Sequence, residues 1–91
     1  MSTIEKIQEE VLVEEAIGVN NEILLHNDDV NTFDHVINCL IRYCDHTLEQ
    51  AEQCAYIVHY NGKCTVKTGS YDDLEPRCSS MLKANLSAEL V

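Results

Sequence analysis

The sequence predicts a single small α+β domain over residues 21–91. Three strands form a sheet packed against three helices, in the order β-α-α-β-α-β. Three observations lead there. Two apolar stripes of helical period are separated by only two or three residues, so their helices must pack antiparallel. Short apolar or alternating runs of strand length flank them and recur near the C-terminus. With 91 residues, a 45% hydrophobic share, no Trp, one Phe and four Tyr, the chain can bury one modest core. A sheet covered on one face by helices is the economical arrangement of these elements.

Residues 1–20 carry Glu5, Glu9, Glu10, Glu14 and Glu15 against Lys6 alone, and their apolar residues keep no clean period. Gly18-Val19-Asn20-Asn21 then breaks the chain. This reads as an acidic, flexible N-terminal extension; the other reading is a first strand around Val11 to Val13.

Glu22 to His26 reads as a strand. Asn31-Thr32-Phe33-Asp34 reads as a helix start with Asn31 as the N-cap. Phe33, Val36, Ile37, Leu40, Ile41 and Cys44 then follow at i, i+3, i+4, i+7, i+8 and i+11, a full apolar stripe. Thr47-Leu48-Glu49-Gln50 is a capping box for a second helix, with Leu48, Ala51, Ala55 and Val58 inward and Cys54 and Ile57 flanking. Asn61-Gly62 stops it, because Gly tolerates the positive φ of a helix end. Lys63 to Thr68 alternates, a strand with Cys64 and Val66 inward. A third helix is expected from about Leu74 to Ala84, with Leu74, Cys78, Met81 and Leu82 inside. Pro76 is placed in its first turn, where a missing N–H costs nothing, and the cap near Asp73. Leu86 to Val91 reads as the last strand, with Leu86, Ala88 and Leu90 on one face.

A net charge of −10 with only six Lys and Arg argues against nucleic acid, which needs clustered cations. It suits a basic partner, or simply an acidic soluble surface. No run of about 18 apolar residues suggests a membrane span. Met1-Ser2-Thr3-Ile4-Glu5-Lys6 does not read as a secretory signal, so a cytoplasmic location is expected. Five cysteines without a CxxC fit reduced, partly buried thiols.

Leu24-Leu25-His26-Asn27-Asp28-Asp29 ends an apolar run abruptly in an amide and two carboxylates. These residues suit a plain strand-to-helix connection, since Asn and Asp bond local backbone N–H groups. Asp28 and Asp29 could also begin a cation site, although the spacing excludes an EF-hand loop. His59, beside a Gly-terminated helix end, is either structural or an acceptor for a ligand N–H. A zinc set of Cys44, His46, His59 and Cys64 can be drawn, but it matches no common module. A Cys64–His59 nucleophilic pair lacks an oxyanion site and an orienting partner. No enzyme activity, metal or cofactor is therefore expected. The rival reading from another class is a thiol/histidine metal-binding or redox module.

Together, Leu24-Leu25-His26-Asn27-Asp28-Asp29, the helix after it, and Ala55-Tyr56-Ile57-Val58-His59-Tyr60-Asn61-Gly62-Lys63 resemble ClpS, the N-degron adaptor of Clp-family ATP-dependent proteases. The likeness covers residues 22–91 and is strongest over 23–63. It implies that Asn27, Asp28 and His59 hold the α-ammonium group of a substrate's first residue. Its side chain would enter a pocket lined by Asn31, Phe33, Ala55, Val58 and Leu86. It further implies a monomer whose partner is the N-terminal domain of a ClpA- or ClpC-like AAA+ ATPase. Asp72 and Arg77 would fall near the chaperone-docking surface, and residues 1–20 would be the extension the ATPase engages. Phe33 and Ala55 stand where the family commonly has methionines, and Val30 and Thr32 replace a frequent aromatic and proline. A ClpS-like protein that contacts the ATPase without binding N-degrons is a third reading.

Overall fold

The computed structural model describes residues 21–91, so the expected extension at 1–20 lies outside the described residues. The order is β1 (Asn21–His26), α1 (Phe33–Cys44), α2 (Leu48–Asn61), β2 (Lys63–Gly69), α3 (Tyr71–Lys83) and β3 (Ser87–Leu90). The sheet is antiparallel throughout, in the order β2-β1-β3. This is the expected architecture.

β1 is central because its side chains can serve both neighbours and the core. Ile23 and Leu25 point under the helices and are fully buried, while Leu24 and His26 turn to the other face. Above them Leu40, Cys44, Ala51, Val58, Leu74 and Met81 close the core. Each fully buried Ile or Leu contributes roughly 1.5–3 kcal/mol. The Cys44 thiol donates to Met81 Sδ at 3.6 Å, so sulfur packs on sulfur at the centre.

A bulge interrupts the β1–β2 ladder. Ile23 pairs with Lys67 but Leu24 with Thr65, so Val66 is the extra residue. His46, in the α1–α2 turn, donates Nε2–H to the Val66 carbonyl at 2.6 Å. Its Nδ1 is buried and has no partner among the described residues. The bulge and the helical turn are thereby fastened together.

Four local expectations are corrected. Thr32, not Asn31, caps α1: its Oγ1 accepts the His35 N–H at 3.1 Å, because the Asn31 side chain is committed elsewhere. Helix α3 begins at Tyr71 under a Ser70 cap, whose hydroxyl accepts the Asp73 N–H at 3.2 Å. Pro76 thus sits inside the helix and not in its first turn. The cap, Asp72 and Asp73 at the positive helix end, and fully buried Leu74 offset its missing hydrogen bond. Leu48 and Leu82, expected inside, are exposed. At about 100° per residue, Leu48 lies roughly 60° and Leu82 roughly 80° off the buried line of its helix. The capping box at Thr47–Gln50 and the left-handed stop at Gly62, with φ of 93°, form as expected.

Candidate functional site

The end of β1, the start of α1 and the last turns of α2 meet because the backbone ties them. The Asn27 N–H donates to the Gly62 carbonyl at 2.8 Å, and the Gly62 N–H to Val58 at 2.9 Å. That short relay sets the Asn27-Asp28 turn beside His59. Helices α1 and α2 run antiparallel, so Phe33 at the head of one faces Ala55, Val58 and His59 near the tail of the other. Ala55 is too small to fill the space between them, and a pocket remains.

Asn27, Asp28, Asn31, Phe33, Ala55, Val58, His59 and Leu86 all line this single pocket. Leu25 and Val36 complete its apolar wall, and His26 joins its rim. Counted as space open to the centre of a water molecule, the cavity is about 40 Å³, several times what one water needs. Its mouth is open, with Phe33 39% exposed and His59 exposed too.

Asp28 is the organising group. Its Oδ1 accepts the N–H groups of Val30 at 3.0 Å and Asn31 at 2.9 Å, shaping the turn into α1. The Asn31 amide donates to both carboxylate oxygens, and the Ser87 hydroxyl reaches Oδ2 at 3.2 Å. Burial alone would raise the Asp28 pKa. The hydrogen bonds from Asn31, Val30 and Ser87 outweigh it and hold the carboxyl below its ordinary 3.8. The rim therefore carries a fixed negative charge at neutral pH.

Three side chains staple the segment before β3 over the pocket. Asn31 Nδ2 donates to the Asn85 carbonyl at 2.8 Å, His35 Nε2 to the Ala84 carbonyl at 2.8 Å, and Ser87 to Asp28. This is how Leu86, 3% exposed, comes to roof the apolar wall. His35, Asn85 and Ser87 escaped the sequence reading. Asn85, at φ of 69°, was the one with a signal, as an Asn just past a helix end.

His59 is held by rings, 5.3 Å from Phe33 and 4.8 Å edge-on from Tyr60. The drawn zinc set is not assembled, since Cys44 bonds Met81 and His46 bonds Val66. Among the described residues no three His, Cys, Asp or Glu side chains converge on a metal position. Burial pushes the Cys44 thiol up to about 11, and burial with a hydrogen bond to Cys64 pushes Cys54 up to about 12. Such thiols stay protonated and behave as packing atoms.

Asp72 and Arg77 lie apart from the pocket, on α3. Asp72 is exposed in the first turn. Arg77 binds Asp45 Oδ2 at 2.9 Å, the Tyr43 carbonyl at 3.1 Å and Asp73 Oδ1 at 3.3 Å, clamping α3 to the α1–α2 turn. Among the described residues no helix is long and apolar enough to cross a membrane.

An apolar pocket with an anionic carboxylate, an amide and an imidazole at its mouth, built on a three-stranded sheet, defines a small α+β domain with one polar-rimmed pocket. The family model described as ATP-dependent Clp protease adaptor protein ClpS matches residues 19–89, and the chain belongs to that family. Among its relatives, the ClpS adapter of Thermosynechococcus vestitus is 35% identical over 69 residues, covering 75% of this chain and 73% of that protein. The ClpS adapter of a Nostoc species is 33% identical over 69 residues, covering 75% and 71%. Agrobacterium tumefaciens ClpS2, solved bound to L-phenylalaninamide, superposes with a TM-score of 0.74 at 16% identity, over 78% of this chain and 93% of that one. It shares the fold.

Proposed function

We propose that this Clp protease adaptor binds the first residue of N-degron substrates and delivers them to a Clp ATPase–protease. The observation that carries the reading is the junction of Asp28 with the apolar pocket: a fixed carboxylate stands at the mouth of a wall made by Phe33, Ala55, Val58 and Leu86. A free α-ammonium has three donors and no acceptor, so it wants a carboxylate, an amide oxygen and a neutral imidazole nitrogen. Asp28, Asn27 and His59 supply that set. L-phenylalaninamide, the ligand of the Agrobacterium relative, carries such an ammonium next to a bulky apolar side chain.

Charge-assisted hydrogen bonds contribute roughly 1.5–3 kcal/mol each, and burying a Leu or Phe side chain about 1.5–3 kcal/mol. After association costs, affinity of about −8 kcal/mol, micromolar, is expected. A delivery adaptor must release its cargo, and that range permits it. Residues 1–20 are assigned to engagement by the ATPase, and the face bearing Asp72 and Arg77 to docking on its N-terminal domain.

The test is fluorescence anisotropy with peptides beginning in Leu or Phe, each with a free or an acetylated N-terminus. Acetylation removes the charge and two donors, so only the free forms should bind. Equal binding of both forms, or of neither, would overturn N-degron recognition and leave an adaptor that contacts the ATPase by another route.

A further inference from the structure

Of the three side-chain hydrogen bonds that hold the α3–β3 connection over the pocket, two involve groups of the pocket itself. Asn31 and Asp28 line the cavity, so the Asn31–Asn85 and Ser87–Asp28 bonds share their atoms with the site. His35 is the exception. It is part-buried in the first turn of α1, does not line the pocket, and gives Nε2–H to the Ala84 carbonyl at 2.8 Å. Buried Cys39, one turn on, sets its Sγ 3.7 Å from the same nitrogen and 4.0 Å from Nδ1, so the ring is backed by the core. Beyond Ala84 the chain has little slack. The Asn85 N–H returns to the Leu82 carbonyl at 3.0 Å, with Asn85 at φ of 69°, and the Leu86 N–H to the Met81 carbonyl at 3.0 Å. Leu86 therefore follows closely on a carbonyl that α1 holds, and its buried side chain roofs the apolar wall.

We infer that His35 is a positioning residue for ligand selection: its bond to Ala84 sets the height of the Leu86 roof, and so the size of first residue that the pocket favours. The inference rests on the proposed function, because the roof meets a side chain only if a first residue enters the pocket. Competition for Asp28 separates His35 from the other two staples. An ammonium arriving there needs lone pairs that Ser87 and Asn31 now use. The His35–Ala84 bond uses none of the site's groups, so it holds with the pocket filled. A roof fixed in this way keeps contact with a Leu side chain and resists the larger indole of Trp, since a packed wall yields little to added volume.

The experiment uses the full chain and two peptides that begin with Leu and with Trp and are otherwise identical, titrated against wild type, His35→Leu and His35→Gln. His35→Leu keeps apolar bulk but has no donor. With the roof released, the ratio of the two affinities should move toward Trp by about three- to tenfold, the range of one hydrogen bond. His35→Gln puts an amide N–H close to where Nε2 stands and should return the ratio to within about twofold of wild type. Partial unfolding lowers both affinities by one factor and leaves their ratio alone, so a merely structural role gives a different result. His35→Ala carries the same test should the leucine variant not fold. If the ratio stays at its wild-type value without the donor, or if glutamine does not restore it, the roof inference fails alone. If neither peptide binds wild type, the proposed function falls and the roof inference with it.

Discussion

Asn31 grips Asp28 with its side-chain amide, Nδ2 lying 3.0 Å from Oδ1 and 2.8 Å from Oδ2, and gives its other hydrogen to the Asn85 carbonyl at 2.8 Å. One amide thus links the carboxylate at the pocket mouth to the segment that roofs the pocket. With two backbone N–H groups and Ser87 also on Asp28, the carboxylate's roughly four lone-pair sites are all in use. An incoming ammonium would most readily replace Ser87, whose hydroxyl can rotate away. Asp28 shapes the turn, the proposed function gives it the ammonium as well, and substitutions can separate the two roles.

Asp28→Ala strands the Val30 and Asn31 donors and should destabilise the fold by about 1–3 kcal/mol. Asp28→Asn keeps an oxygen for those donors and should cost less than about 1 kcal/mol, yet it removes the charge an ammonium needs. Urea unfolding and peptide titration of both variants measure the two effects. Should Asp28→Asn bind Leu-initiated peptides as wild type does, the carboxylate is a structural cap and not part of the ligand site.

The lowered pKa of Asp28 gives a signed pH dependence. A carboxyl whose folded pKa lies below its unfolded value contributes stability that is present above that unfolded value, about 3.9. The contribution is lost as pH falls through the lower folded value. The stability gap between wild type and Asp28→Asn should therefore be constant above about pH 5 and shrink as pH is lowered through 4 and below. Urea midpoints at stepped pH decide this; an unchanging gap would mean that another group carries the acid sensitivity.

Ala55, 3% exposed, is the small wall opposite Phe33. Ala55→Met should fill the pocket and weaken binding of Leu- and Phe-initiated peptides by about tenfold, near 1.4 kcal/mol. Adding Phe33→Met should recover most of that loss, because the removed ring returns the volume. If the single variant binds normally, the side chain does not enter between these two helices.

Much of this was legible in the chain because it depends on near neighbours. The stripe from Phe33 to Cys44, the capping box at Thr47–Gln50 and the stop at Gly62 are set by interactions within one or two turns. The separation of Asn27-Asp28 from His59 could be read as well, since two helices of readable length must return the chain to where it began. The start of α3 at Tyr71 was not legible, because Pro76 by itself points to a first turn, whereas the Ser70 cap and the buried Leu74 hold a turn ahead of it. The capture of Asn31 by Asn85, the His35–Ala84 and His46–Val66 bonds and the Ser87–Asp28 contact were decided by the tertiary structure alone. These bonds join residues between 20 and 59 positions apart. Local periodicity is blind to such pairs: a polar side chain's partner is chosen by whichever unpaired group the packed helices bring within about 3 Å.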